Sequence, residues 1–259
     1  MSNVTLAIIL TALAGLSTGI GGLIAFFSKN TNKKFLAFTL GISAGVMLYV
    51  SFMELMAKAV ATLGEVYGAK TGTIYSVIWF FGGVFLAAVI DRLIPETPGF
   101  DPSNQEPDKK SLMRTGVVTA LALGIHNFPE GIATFVSSLR SPEVAIPIVV
   151  AIAIHNIPEG IAVAVPVYFA TGSRKKGFLY SLFSGLTEPV GAIVGYLLLM
   201  PFINDLTTAY VFAAVAGVMV FISVDELLPS AQADNNTHLA VYGLVAGMAV
   251  MAVSLIGFM

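Results

Sequence analysis

"AGVMLYVSFMEL" occupies residues 44 to 55, and "AGVMVFISVDEL" returns at 216 to 227. At this offset of 172, Ala, Gly, Val, Met, Ser, Glu and Leu coincide, and four of the other five positions are apolar or aromatic exchanges. A weaker pair, "AGLSTGIGG" at 14 to 22 and "SGLTEPVGA" at 184 to 192, matches at an offset of 170. The chain is therefore written twice. What fold this makes depends on how often it crosses a membrane between the copies.

A membrane is required by composition. With 56% hydrophobic and 11% charged residues in 259, and a mean hydropathy of +0.87, polar groups are too few to cover a water-soluble globule. A net charge of -2 gives no electrostatic footprint for nucleic acid, and zero cysteines exclude disulfides, thiolate metal sites and iron–sulfur clusters. The first apolar run begins at Val4 with no basic residue before it and continues to about Phe27, which reads as a retained span and not a cleaved signal. A crossing helix needs roughly 20 mostly apolar residues. Eight stretches qualify, near 4 to 27, 35 to 57, 73 to 93, 115 to 138, 142 to 167, 176 to 200, 208 to 228 and 239 to 258. They are too long, and lack the alternation, for barrel strands, so the fold class is all-α and polytopic.

Ten of the thirteen Lys and Arg residues fall in the loops after spans one, three and five, leaving Lys58, Lys70 and Arg140 opposite. The positive-inside rule then puts those loops in the cytoplasm and both termini outside the cell membrane. The stretch of about 94 to 113, with "ETPGFDPSNQEPDKK" at its core, reads as a flexible cytosolic linker inside one transmembrane domain spanning 1–259. Spans two and seven run in opposite directions, so spans 1–3 and 6–8 form inverted repeats around an antiparallel pair, spans four and five. Such repeats are common in transporters, which place the substrate site at the midplane where they meet.

The central pair carries its own duplication, "HNFPEG" at 126 to 131 and "HNIPEG" at 155 to 160, with two of the chain's three histidines. His126 and Glu130, like His155 and Glu159, are four apart and stack on one helix face. Pro129 and Pro158 free the carbonyls of Ile125 and Ile154 and predict kinks. Asn127 and Asn156 point about 100 degrees away by the 3.6-residue period, which lets one helix address two neighbouring ions. Glu188, in "SGLTEP" of span six, is a third acid at this depth, and its repeat counterpart is Thr18. Burying an ionisable group at mid-membrane costs roughly 2.5–3.5 kcal/mol on insertion scales. Three such acids call for a dication or for protons. Glu54 near the outer end of span two, and Asp225 and Glu226 near the inner end of span seven, are candidate gate or pathway residues. The glycines of the motifs read as packing positions.

These motifs, with eight spans and outward termini, resemble the ZIP (Zrt-, Irt-like) divalent-metal transporters, and within them the bacterial ZupT-type branch. The resemblance implies a metal site of His126, Asn127 and Glu130 with His155, Asn156 and Glu159, completed by Glu188, and a breadth of selectivity that includes iron, manganese and cobalt. The expected function is import of Zn2+, as substrate and not as a prosthetic group, by alternating access; the partners are divalent ions and lipid, and a second copy of the chain is admitted as another. An intramembrane metal-dependent enzyme or a metal sensor could use the same cluster. The first lacks the H-E-x-x-H pattern, and the second lacks a soluble output domain.

Overall fold

The computed structural model describes residues 3–27, 33–92, 109–139, 142–232 and 237–257. Their regular structure is entirely helical. In chain order come α1 (Asn3–Phe27), α2 (Lys33–Val50), a π-helical turn (Ser51–Met56), α3 (Ala57–Tyr67), α4 (Ala69–Asp91), α5 (Lys109–Ser138) and α6 (Pro142–Thr171). Then follow α7 (Arg174–Gly185), α8 (Thr187–Leu199), α9 (Asp205–Ile222), a second π-helical turn (Ser223–Leu227), α10 (Leu228–Gln232) and α11 (Thr237–Gly257). Among the described residues seven helical stretches are long and apolar enough to cross a membrane. The eighth expected span, α5, is 30 residues long and the least apolar of the long helices. It has polar work to do: Asn127, Glu130, Thr134, Ser137 and Ser138 are all buried on it.

Two expected boundaries are corrected. Span two does not stop near residue 57; the helix runs on from Ala37 to Tyr67, 31 residues. Nothing in "AKAVATLGEVY" breaks it until Gly68, whose φ of 81° is open to glycine. At ~1.5 Å per residue this helix is about 46 Å long, more than the roughly 30 Å hydrocarbon core. Lys58, just past that expected end, pairs with Glu54 one turn earlier. Residues 109–113, assigned to the linker, belong to α5; the rest of that linker, 94–108, lies outside the described residues.

The repeat is visible as pairs of equivalent contacts. A Cβ on Gly45 would strike the carbonyl of Leu244, and one on Gly217, its partner in the repeat, would strike the carbonyl of Phe80. Gly247 abuts Ile42 as Gly83 abuts Ala214. Spans two and eight thus cross as spans seven and three do. Gly15 and Gly185, equivalent to each other, lie carbonyl to Cα across the α1–α7 contact. Both π-helical turns fall at the same place in the two copies. In each a serine hydroxyl donates back to the carbonyl four residues earlier, Ser51 to Met47 and Ser223 to Met219, both at 2.7 Å. Such back-bonding competes with the helical ladder, and an extra residue slips into the turn.

The contacts divide the helices into two bundles. One holds α1, α5, α6, α7 and α8; the other holds α2, α3, α4, α9, α10 and α11, with α2 against α6 and α5 against α9 as the main bridges. Those bridges are themselves equivalent under the repeat.

The glycine crossings generate a paired expectation. Gly45→Leu and Gly217→Leu should each destabilise the detergent-solubilised protein by about 1–3 kcal/mol or more, as overpacking does. Gly82→Ala, whose Cβ would meet nothing within 4 Å, should leave the thermal midpoint unchanged. Equal midpoints for all three variants would show that these contacts hold nothing together.

Candidate metal site

α5 and α6 run antiparallel through the middle of the first bundle and continue unbroken past Pro129 and Pro158. Glycine brings other backbones hard against them. Gly131 abuts the backbone of Glu188, and its motif twin Gly160 abuts that of Thr18; Gly191 abuts Phe128 as Gly21 abuts Ile157. The four contacts are two symmetric pairs. They carry Glu188 to the side of Glu130. The span-six helix is interrupted at Leu186, and Glu188 falls in the first turn of α8, where the helix dipole favours a carboxylate. Pro189, with no N–H to give, sits in that same first turn, where none is required.

Asn127, Glu130, His155, Asn156, Glu159 and Glu188 are all buried. His155 Nε2 lies 2.8 Å from Glu130 Oε1, so the imidazole of one motif meets the carboxylate of the other. Asn156 Nδ2 donates to Glu188 Oε1 and, at 3.0 Å, to the carbonyl of Ala14 on α1. Asn127 Nδ2 donates to the carbonyl of Ser184 on α7 at 3.4 Å. Ala14 and Ser184 are repeat partners, so the backbone anchors of the two asparagines are equivalent, and Asn156 alone adds a bond to a carboxylate. Each spends its N–H2 as donor, which leaves its oxygen for something else. Among the described residues, Asn127 Oδ1, Asn156 Oδ1, Glu130 Oε2 and Glu188 Oε2 accept no hydrogen bond. Buried oxygens in that state are costly.

A cation fits such a donor set. It would be held by imidazole nitrogen, carboxylates and amide oxygens together, since no three His, Asp or Glu side chains converge on one ion among the described residues. His126 lies on α5 one turn before Glu130, and its side chain is outside the described residues.

One contributor was not foreseen. Ser43, on α2 in the other bundle, donates to Glu159 Oε1 at 3.2 Å and to the carbonyl of His155 at 3.3 Å. It precedes the repeat by one residue, and nothing in the sequence marks it out. The backbone acceptors Ala14 and Ser184 were more accessible, because they open the two copies of the weaker repeat just as Asn127 and Asn156 hold equal places in the motif. The expected gate residues are elsewhere. Glu54 is half-buried in the first π-helical turn and paired with Lys58, well inside its helix and not at the end. Asp225 is exposed, whereas Glu226 lines a small crevice with Asp91 and, across it, Ile125 and Pro129 on α5.

A family model described as "ZIP Zinc transporter" matches residues 3–111 and 96–255. The chain belongs to the ZIP zinc transporter family. It is 58% identical over 256 residues to "Zinc transporter ZupT" of Streptococcus mutans, covering 97% of each chain. It is similarly 54% identical to the protein of that name from Clostridium perfringens (100% and 98% covered) and 55% to that from Oceanobacillus iheyensis (99% of each). Membership in the ZIP family puts the chain among multi-pass membrane transporters and not among enzymes.

The asymmetric anchoring of the two asparagines makes a distinguishable expectation. Asn156→Leu removes the donor to both Ala14 and the Glu188 carboxylate, while Asn127→Leu removes one long bond. Stranding a buried acceptor costs about 1–3 kcal/mol, more when it is charged. The thermal midpoint of the metal-free protein in detergent should therefore fall further for Asn156→Leu than for Asn127→Leu. Equal shifts would mean that the Asn156–Glu188 contact contributes nothing.

Proposed function

We propose that this chain carries Zn2+ into the cytoplasm, binding it at mid-membrane between α5, α6 and α8. The observation that carries the reading is the set of buried oxygens without a hydrogen bond on Asn127, Glu130, Asn156 and Glu188, together with the His155 imidazole 2.8 Å from the Glu130 carboxylate. The two motifs are halves of one site: His126, Asn127 and Glu130 from α5, His155, Asn156 and Glu159 from α6, with Glu188 completing it. The zinc transporters named above, more than half identical over nearly the whole chain, support zinc as the cargo. Imidazole and carboxylate donors bind Fe2+, Mn2+ and Co2+ as well, because softness separates these ions weakly. Transport of several first-row dications follows.

Direction comes from the potential. With the interior negative, a dication crossing ~100 mV gains about 4.6 kcal/mol, at ~2.3 kcal/mol per charge. Inward flux then needs no nucleotide. The ligands all lie in the bundle of α1 and α5 to α8, so that bundle can move against the other with the site intact and expose it to each side in turn. The α2–α6 and α5–α9 contacts are the sliding surfaces, and the bond from Ser43 to Glu159 is made in one position only. Glu54 serves the outer approach, and Asp225 with Glu226 the inner one.

The test is radiolabelled zinc uptake into proteoliposomes under a negative-inside potential. The native chain should show saturable uptake, and Glu130→Ala and Glu159→Ala should each reduce it by tenfold or more. Tight zinc binding without uptake would return the chain to the sensor reading. Unsaturable conductance would replace alternating access with an open pore.

A further inference from the structure

One large cavity has no part in the proposed ion path. A groove of about 990 Å³ runs between α4, α5 and α7–α8, within the range of about 300–1,000 Å³ typical of sites for organic ligands. It extends along α5 from Val117 to Ile132, which at ~1.5 Å per residue is about 22 Å, longer than one leaflet of a roughly 30 Å hydrocarbon core. Its rim residues Leu86, Leu121, Phe183 and Val190 are exposed, so it opens sideways towards lipid. The lining is almost wholly apolar. Thr187 Oγ1 is already engaged with the carbonyl of Ser184 at 2.6 Å, which leaves the buried Ser184 hydroxyl and, at one end, Lys176 and Tyr180 as the polar groups. An ion in water would find no support here.

Basic residues gather at that end. Lys176 lines it from the first turn of α7; Arg114 lies three residues before Val117, on the same face of α5; Arg92 follows Ile90 at the close of α4. Each of the three helices that wall the groove thus carries a basic residue at the same membrane face. Asp91 belongs to the neighbouring crevice with Glu226. We propose that the groove holds an acyl chain of an anionic phospholipid whose phosphate sits among Lys176, Arg114 and Arg92. Basic clusters at the mouth of a pocket between transmembrane helices recognise such headgroups, and each Lys or Arg near an anionic surface contributes about 1 kcal/mol, or roughly fivefold. The inner wall of the groove is the back of the metal-site helix, at Ile125, Phe128 and Pro129, and α4 belongs to the opposite bundle. A seated lipid therefore touches both bundles at once.

The chain's single tryptophan makes this measurable. Trp79→Phe combined with Leu121→Trp places the one fluorophore in the groove, in the full-length protein reconstituted in phosphatidylcholine vesicles without metal. Val117→Trp serves as the reporter if Leu121→Trp does not fold. Brominated phosphatidylglycerol should half-quench it at a mole fraction about fivefold or more below that needed with brominated phosphatidylcholine, and Lys176→Gln should lower this preference about fivefold. The same dependence for both lipids, or a preference surviving the triple change of Lys176, Arg114 and Arg92 to Gln, overturns the proposal. So does absence of quenching by either lipid, the result if a second copy of the chain seals the groove. Because no zinc enters the measurement, its outcome is independent of the transport reading.

Discussion

Backbone pressed against backbone at glycine is the constraint on which the rest depends. In lipid there is no hydrophobic gain from bringing two helices together, and association rests on van der Waals contact and interhelical hydrogen bonds. Both strengthen steeply as helices approach. At Gly131, Gly160, Gly191 and Gly21 the approach is so close that a single methyl would collide with the opposing chain. That closeness is what lets Asn127 and Asn156 reach backbone carbonyls of α7 and α1, and what seats Glu188 beside Glu130. The polar cluster is thus a consequence of the packing. It could not be assembled in the same place by side chains of ordinary reach on helices at ordinary separations of 8–10 Å.

Much of this was legible in the sequence because the chain states it twice. The seven-of-twelve match between residues 44–55 and 216–227 announced an inverted repeat, and the structure expresses it as equivalent crossings, Gly45 with Leu244 and Gly217 with Phe80. The twin motifs single out Asn127, Glu130, His155, Asn156 and Glu159, and all five are buried. Duplication converts a weak local signal into two readings of one feature.

What stayed hidden was whatever depends on a tertiary partner or on backbone geometry. Span two reads as ending near residue 57, just before Lys58; with Glu54 paired to that lysine one turn away, the helix continues past it. The π-helical turns arise from Ser51 and Ser223 bonding backwards, a choice that serine makes in some helices and not in others. Ser43 acquires its role only because α2 happens to face α6 at Glu159. The division into two bundles has no side-chain signature at all.

The repeat is broken in one place, and the break is informative. Gly131 faces Glu188 where Gly160 faces Thr18, so at the two equivalent positions a carboxylate on one side is answered by a neutral hydroxyl on the other. Both are buried, and Thr18 Oγ1, like Glu188 Oε2, makes no hydrogen bond among the described residues. Two carboxylates at these positions would add a fourth acid to a region where each charge is expensive, and two threonines would leave only Glu130 and Glu159 to balance a dication. One of each adds a single negative charge and moves it off the symmetry axis towards α5. Asn156 reinforces the bias by bonding to that carboxylate, since Asn127 has no acid to meet and holds only the Ser184 carbonyl. On the proposed reading of the site, a symmetric scaffold thereby presents an asymmetric ligand set, with the additional carboxylate on the Glu130 side.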